Sequence, residues 1–203
     1  QIWLPPNFTQ ASKTPVLICG DGCWAYVTDA VKQHVLSAGM ALAVFNRADV
    51  AADMPGTPAT SPCGALAMWA WAYHRCVDAL EQVAGLDAQR FGVAGHSRGG
   101  KAALFAGAVD TRVALTCANN SGAGGAGSYR QLGPGAETLE DLLNHFPHWF
   151  APQLQQWRGR AAQLPFDQHH LLALIAPRAL LCTQSWDDAW ANPQGTWQSH
   201  RAA

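Results

Sequence analysis

A serine between two glycines is the residue of this sequence best placed to do covalent chemistry. Ser97 lies in the run Gly-His-Ser-Arg-Gly, which follows the apolar residues 91–94 and precedes an alanine-rich segment. When such a serine joins a strand to a helix, a strained turn exposes its hydroxyl, and the glycines remove side chains that would clash there. The helix N-terminus adds backbone donors where an oxyanion would develop. The pattern predicts a nucleophile of acyl transfer, the alternative being an ordinary turn serine.

Two cations follow the serine closely. Arg98 is the next residue, where a guanidinium could stabilise a tetrahedral oxyanion beside the backbone amides. Lys101 comes one helical turn after Ser97 and would lie on the same helix face, unless it is a solvated surface residue. These charges favour a polar, oxygen-rich substrate over a fatty acyl chain.

The elements that must position these residues alternate along the chain. Short apolar runs predict strands, and segments with helical spacing of their apolar residues lie between them. The predicted strands are residues 15–19, 41–45, 91–94, 113–117 and 178–183, and the predicted helices are residues 24–39, 64–84, 98–110 and 170–176. Such alternation is typical of a mostly parallel sheet with helices on both faces, so we expect residues 1–203 to form a single α/β domain.

Composition and charge exclude several classes of function. Of the 203 residues, 49% are hydrophobic and 13% charged, and the formal net charge is −1. That balance provides no electrostatic surface for nucleic acid or an anionic membrane, and no apolar run reaches the roughly 20 residues that span a bilayer. The six cysteines match no metal-binding spacing, so we expect no metal and no cofactor. Cys117 and Cys182 could be buried thiols or a disulfide.

Several short blocks, in order along residues 91–193, resemble the glucuronoyl esterases, a carbohydrate esterase family of the α/β-hydrolase superfamily. The first block is Gly-His-Ser-Arg-Gly-Gly-Lys at residues 95–101. The others are Asn-Ser-Gly-Ala-Gly-Gly at residues 120–125, His-Trp-Phe at 148–150, Asp-Gln-His at 167–169, Leu-Ile-Ala-Pro-Arg at 174–178 and Asp-Ala-Trp-Ala-Asn-Pro at 188–193. The segment over which they are distributed, residues 91–193, is about half of the chain.

The resemblance implies a function and a set of roles. Members cleave the ester between 4-O-methyl-glucuronic acid of xylan and lignin alcohols through an acyl-enzyme, without a metal. Glucuronoxylan or a lignin–carbohydrate ester would be the substrate of a monomeric enzyme that is secreted or periplasmic. By position, Ser97 would be the nucleophile and Arg98 the oxyanion-stabilising residue. Lys101 and Trp190 would hold the sugar, and Glu137 would bind its hydroxyls.

The sequence offers more than one position for the acid of the catalytic triad. Many members have a glutamate at the position of Asn120, and asparagine cannot accept a proton or stabilise an imidazolium by charge. Others place the acid after the next strand, which leaves Asp187 or Asp188. The spacing to Trp190 favours Asp188, and this choice agrees with the order serine, acid, histidine usual in the superfamily. The alternative is an aspartate that caps the following helix.

The general base is not evident in the sequence. His200 is the one histidine after the acid, but it lies in a helical pattern, and His169 precedes the acid. We expect neither to be the base, and we expect a chain that is incomplete at both ends of the fold. Two other functions remain open: a different polar-substrate esterase, acetyl or feruloyl, or a carbohydrate-binding remnant without a base.

Overall fold

The protein, described by a computed structural model over residues 1–59 and 61–203, is built around one sheet. Within those residues the sheet has six strands in the order β1-β3-β2-β4-β5-β6, parallel except for the antiparallel β1. The strands are β1 (Ile2–Trp3), β2 (Thr14–Cys19), β3 (Ala41–Val44), β4 (Leu86–His96), β5 (Val113–Asn119) and β6 (Ala179–Thr183). The predicted strands are therefore all present.

Helices connect the strands in the predicted order. They are α1 (Asp29–Ser37), α2 (Gly64–Leu80), α3 (Arg98–Val109), α4 (Leu139–His145), α5 (Gln168–Ala173) and α6 (Pro193–Ala202). The first helix begins later than predicted, because the Thr28 side chain accepts a hydrogen bond from the Val31 amide and caps it there. Trp24 is consequently in a loop, and the second helix ends earlier than predicted, at Leu80.

The main core lies between the sheet and the helices α2 and α3. Trp69 and Tyr73 of α2 are fully buried there, and the Tyr73 hydroxyl accepts from the Gly20 amide and donates to the Ala94 carbonyl. Helix α1 lies on the opposite face near β3, so helices cover both faces as predicted. The carboxyl ends of β2, β4, β5 and β6 meet at one edge of the sheet, which is where open α/β sheets bind ligands.

The cysteines do not cross-link the fold. In the part of the chain that the structure describes, all six are free thiols. Cys117 pairs with Leu181 and Cys182 with Ala118 in the register of β5 and β6. Because successive side chains of a strand point to opposite faces, these two thiols lie on opposite sides of the sheet. Burial raises the pKa of Cys182 to about 12. None of the described helices has both the length and the apolar character needed to cross a membrane.

Candidate active site

Ser97 occupies a strained turn between β4 and α3. Its backbone φ is 53° and ψ is −121°, and its amide donates to the Asn119 carbonyl at 2.8 Å. A Cβ on Gly95 would lie 2.2 Å from the Gly99 oxygen, and a Cβ on Gly99 would lie 2.0 Å from Asp21 Oδ1. The turn therefore needs both glycines, and the serine hydroxyl lies at the N-terminus of α3.

A buried ion pair lies against the other side of this turn. Asp21, in the loop after β2, accepts a hydrogen bond from the His96 amide at 2.8 Å and pairs with Arg47. Both side chains are buried, and burial raises the pKa of Asp21. The Arg47 guanidinium stacks on Trp24 at 3.9 Å from the ring centroid. No motif in the sequence indicates this pair, which fixes the backbone that carries Ser97.

Arg98 is held by a carboxylate and by aromatic rings. Its Nη1 lies 2.8 Å from Asp53 Oδ2, and its guanidinium carbon is 4.9 Å from the Trp149 ring, 5.3 Å from Phe146 and 5.4 Å from Trp24. Asp53 was also missed, because nothing in the sequence near it forms a motif. These contacts restrict the guanidinium to one place beside Ser97.

Lys101, one helical turn after Ser97, forms a buried ion pair with Glu137. Lys101 Nζ lies 2.7 Å from Glu137 Oε2, and the two side chains are only 3% and 4% exposed. The ammonium also donates to the Ala123 carbonyl. Burial lowers the pKa of Lys101, and the Glu137 carboxylate opposes that change. Lys101 is thus not the solvated surface residue that the sequence left open.

Asp188 is tied to the loop that follows β5. Its Oδ2 accepts a hydrogen bond from Asn120 Nδ2 at 2.7 Å, and its Oδ1 accepts from the Ala191 amide at 3.3 Å. Asn120 has a φ of 44°, and its Oδ1 accepts from the Ser185 amide at 3.0 Å. Asp188 therefore caps a short turn, as the alternative interpretation expected, and its carboxylate also faces the candidate site. Asp187 is exposed and does not line it.

Trp190 and Glu137 are joined through the backbone. The Trp190 carbonyl accepts from the Glu137 amide at 2.9 Å, while the Trp190 side chain is 49% exposed. A half-exposed indole offers a flat apolar face beside the buried charges of Lys101 and Glu137, a combination that suits the face and hydroxyls of a sugar.

One cavity of about 70 Å³ brings all six predicted site residues together. Ser97, Arg98, Lys101, Glu137, Asp188 and Trp190 line it, together with His96, Asn120, Ser121, Gly122, Phe146, Trp149 and Ala191. Among the described residues, no group of three or more histidine, cysteine, aspartate or glutamate side chains is placed to hold a metal ion.

Of the described histidines, His96 alone lines this cavity. Its Nδ1 is hydrogen-bonded to Asn119 Oδ1 and its ring packs against Tyr26, neither of which lines the cavity. His169 lies at the start of α5 with its ring 3.9 Å from that of His170, and His200 is in α6. Neither His169 nor His200 lines the cavity.

The sequence model of the glucuronyl esterases of fungi matches residues 2–203. The chain belongs to the glucuronyl esterase family. The resemblance noted from the short sequence blocks is thereby confirmed, and the match extends beyond them to the N-terminal half. Membership in the glucuronyl esterase family also confirms the predicted α/β-hydrolase fold, since the solved structures of the family share this sheet.

Relatives of the family are found in bacteria and fungi. The carbohydrate esterase MZ0003 of an unknown prokaryotic organism is 41% identical over 147 residues, which are 72% of this chain and 33% of that protein. A 4-O-methyl-glucuronoyl methylesterase of Podospora anserina is 38% identical over 180 residues, 79% of this chain and 37% of that protein. The chain thus spans about a third of the length of these curated relatives.

Solved structures of glucuronoyl esterases superpose on nearly the whole chain. The enzyme from Caldicellulosiruptor kristjansonii has a TM-score of 0.86 and 32% identity, covering 100% of this chain and 61% of that one. A serine-to-alanine mutant of the Sporotrichum thermophile enzyme, solved in complex with methyl 4-O-methyl-β-D-glucopyranuronate, has a TM-score of 0.81 and 28% identity, covering 100% of this chain and 57% of that one.

Proposed function

We propose that the chain is a serine esterase that cleaves the ester between 4-O-methyl-glucuronic acid of xylan and a lignin alcohol. The observation that carries the proposal is the single cavity in which the strained Ser97 meets Arg98 and the buried pair of Lys101 and Glu137. Relatives named 4-O-methyl-glucuronoyl methylesterase support it. So does the Sporotrichum structure that binds the methyl ester of this sugar acid.

The proposed reaction has two acyl-transfer steps. Ser97 Oγ attacks the ester carbonyl, its proton passes to a base and on to the alcohol, and the alcohol leaves from a glucuronoyl-serine ester. Water then attacks that ester and releases the glucuronate. The negative oxygen of each tetrahedral intermediate would lie near the Arg98 amide, which begins α3, and the Arg98 guanidinium. A guanidinium retains its charge at every pH of interest, so this stabilisation needs no protonation step.

Sugar recognition would depend on three residues that do not react. The Lys101 ammonium can donate to a ring or hydroxyl oxygen, and Glu137 Oε1 can accept from hydroxyls while Oε2 pairs with the lysine. The half-exposed Trp190 would stack on the apolar face of the pyranose. A site built to bond hydroxyl groups rejects ligands that lack them, because its buried polar groups would be left unpaired.

Asp188 is the proposed acid of the triad. Asn120 and the Ala191 amide hold its carboxylate in place at the cavity wall. An acid in this role orients an imidazole and stabilises the imidazolium that forms during catalysis. We also infer that the enzyme works outside the cell or in the periplasm, because its proposed substrate is plant cell wall, and that it acts as a monomer.

A second candidate function is carbohydrate binding without turnover. It is favoured by one observation: of the described histidines, the cavity is lined by His96 alone, and the ring of His96 is bonded to Asn119. A serine without a base is a weak nucleophile at neutral pH. The sugar contacts would nevertheless persist, because Lys101, Glu137 and Trp190 do not depend on a base.

Hydrolysis of a benzyl glucuronate ester by the chain, by Ser97→Ala and by Ser37→Ala tests the proposal. Ser37 ends α1, away from the cavity, and is the matched control. We expect turnover that disappears in Ser97→Ala and persists in Ser37→Ala. Full turnover by Ser97→Ala would reject the nucleophile. Absence of turnover together with calorimetric binding of glucuronate would support the second candidate.

Parallel assays separate the esterase specificities. We expect faster cleavage of the glucuronate ester than of acetylated xylan or methyl ferulate, because Lys101 and Glu137 should recognise the sugar acid. Preference for acetylated xylan or methyl ferulate would instead indicate the acetyl or feruloyl esterase that the sequence left open.

A further inference from the structure

Asp53 receives three hydrogen bonds from the wall of the candidate site. It lies in the loop between β3 and α2, far from the other site residues in the sequence. Arg98 Nη1 donates to its Oδ2 at 2.8 Å, Trp149 Nε1 donates to its Oδ1 at 2.9 Å, and His148 Nε2 lies 3.0 Å from the same oxygen. Its side chain is 14% exposed. A carboxylate bound from three directions has little freedom to move.

Asp53 binds Arg98, whose long side chain can act at a fixed point only when a partner holds it there. We call this partner the anchor of Arg98. Preorganised donors stabilise developing charge because they need no reorganisation during the reaction. Within residues 1–59 and 61–203, Asp53 is the carboxylate that forms a salt bridge with Arg98. The aromatic rings around the guanidinium limit its tilt, but only the carboxylate bonds to a specific nitrogen. Asp53 therefore sets where along the cavity wall the guanidinium lies.

The anchor leaves part of the guanidinium free. Asp53 binds Arg98 through Nη1, whereas the buried Arg98 Nε has no hydrogen-bond acceptor among the described residues. A buried donor without an acceptor costs free energy unless an oxygen arrives to accept from it. The arrangement thus combines one nitrogen fixed by the protein with a second, buried nitrogen that has no partner among the described residues.

His148 and Trp149 in turn fix the position of Asp53. Both residues are buried in the short helical turn Pro147–Trp149, and both direct a ring nitrogen to the same carboxylate oxygen. Trp149 also packs against the Arg98 guanidinium, so the indole bonds to the anchor and contacts the cation it holds. This explains in physical terms why the His-Trp-Phe block and Arg98 occur together in one site.

We propose that Asp53 is a positioning residue that fixes the Arg98 guanidinium for stabilisation of the oxyanion beside Ser97. The proposal depends on the proposed esterase function for the role of Arg98, although the link between Asp53 and Arg98 can be tested without turnover. Asp53 itself touches no reacting atom: it acts through Arg98.

Kinetics of Asp53→Asn on the benzyl glucuronate ester test the catalytic part. The amide keeps the shape of the side chain but loses the charge that holds Arg98. We expect kcat to fall about 10- to 100-fold with KM within about twofold, because misplacing a transition-state donor affects the reaction rather than sugar binding. Asp53→Glu should recover part of kcat. Asp110→Asn, which removes the carboxylate of another Asp–Arg pair at the far end of α3, is the matched control and should leave kcat unchanged.

A wild-type kcat in Asp53→Asn, or an effect on KM alone, would overturn the catalytic part. An equal loss of kcat in Asp110→Asn would attribute the effect to general destabilisation and would overturn it as well.

An activity-independent measurement follows the Arg98 side chain by ¹H–¹⁵N NMR of arginine Nε–Hε groups. Arg98→Lys assigns the signal by its disappearance. We expect the wild-type Arg98 Hε to exchange slowly with water and to exchange at least about tenfold faster in Asp53→Asn, because opening of the anchor exposes the buried group. Asp110→Asn should leave the Arg98 signal unchanged. An unchanged Arg98 signal in Asp53→Asn would overturn the proposal, even in an active enzyme.

The two measurements also separate this proposal from the proposed function. If the wild-type chain does not hydrolyse the ester, the proposed function is wrong. The NMR comparison alone would then decide whether Asp53 fixes Arg98.

Discussion

At the scale of single residues, the sequence predicts which charged residues follow Ser97, but not which partners they bind or how deeply they are buried. The run of residues 95–101 places Arg98 and Lys101 after Ser97, and helical spacing alone brings Lys101 to the same face. Its partner could not be deduced from spacing, since Glu137 comes from a loop 36 positions along the chain. Asp53 and Asp21 were missed for the same reason: each meets its arginine only when separate loops pack at one edge of the sheet.

The buried pair of Lys101 and Glu137 has a measurable stability signature. Lys101→Met should lower the free energy of unfolding by about 3–5 kcal/mol, because it leaves the Glu137 carboxylate buried without its countercharge. The double variant Lys101→Met/Glu137→Met should recover most of that loss, since no unpaired charge remains. Urea unfolding of the wild type, both single variants and the double variant measures the coupling. Additive losses in the double variant would contradict the ion-pair interpretation.

Asp187 and Asp188 form a natural matched pair for testing the acid. We expect Asp188→Asn to lower kcat on the glucuronate ester by about 10³-fold or more, as loss of a triad acid does. Asp187→Asn should stay within about twofold of the wild type, because its exposed side chain does not line the cavity. Steady-state rates of the two variants decide between them, and a larger loss in Asp187→Asn would transfer the proposed role to that residue.

At the scale of elements, the alternation of apolar strands and amphipathic helices was sufficient to predict the order of the main strands and helices along the chain, but not the order of the strands within the sheet. Helix ends were less predictable: the Thr28 cap delays α1 to Asp29, which releases Trp24 to stack on Arg47. The junction of β4 and α3 was predicted best, because the glycine requirement of this turn is visible in the sequence itself.

Alanine at Gly95 should disrupt that junction. Its Cβ would lie 2.2 Å from the Gly99 oxygen, a backbone atom that cannot move without shifting α3. We expect a loss of at least about 2 kcal/mol of unfolding free energy or failure to fold. Gly133→Ala is the control, because its Cβ would have ordinary contacts of 3.4 Å or more and should change stability by less than about 0.5 kcal/mol. Thermal unfolding compares the two, and equal stabilities would refute the steric argument.

At the scale of the whole molecule, the two faces of the sheet are covered unequally. Helices α2 and α3 bury one face in the main core, whereas α1 covers the other near β3. An apolar cavity of about 220 Å³ lies on that face beside α1, and its wall includes Leu17, Cys117 and Leu181. The sequence predicted helices on both faces, but how much of each face they bury depends on their three-dimensional placement.

Leu181 on β6 provides a test of this exposed surface. It is 52% exposed, and β6 is an edge strand of the described sheet. Exposed apolar edges promote association, and a lysine there opposes it. We expect Leu181→Lys to reduce self-association in light scattering at high protein concentration, while the free energy of unfolding stays within about 1 kcal/mol. Unchanged association would show that this surface does not drive contacts between molecules.

Acid stability should depend on Asp53. Burial by itself would raise the pKa of this carboxyl, but hydrogen bonds from Arg98, Trp149 and His148 outweigh it and lower the pKa below the ordinary value of 3.8. The unfolded chain therefore binds the proton more readily, and the stabilisation is present above that value and lost as the pH falls through the lower folded pKa.

Urea unfolding at several pH values between about 5 and 2 tests whether the stabilisation by the Asp53 carboxylate is lost as the pH falls. We expect the stability difference between wild type and Asp53→Asn to shrink as the pH falls. A stability difference that stays constant or grows as the pH falls would contradict the lowered pKa of Asp53.

The contacts on either side of Ser97 also determine when its strained turn can form. The turn is held by the Asn119 carbonyl from β5 on one side and by Asp21 from the loop after β2 on the other. Before both neighbouring strands dock on β4, these two contacts cannot hold the unfavourable backbone angles of Ser97. The strained serine turn is thus a product of tertiary assembly, because the strand and helix that it joins do not by themselves supply the contacts from Asn119 and Asp21 that hold it.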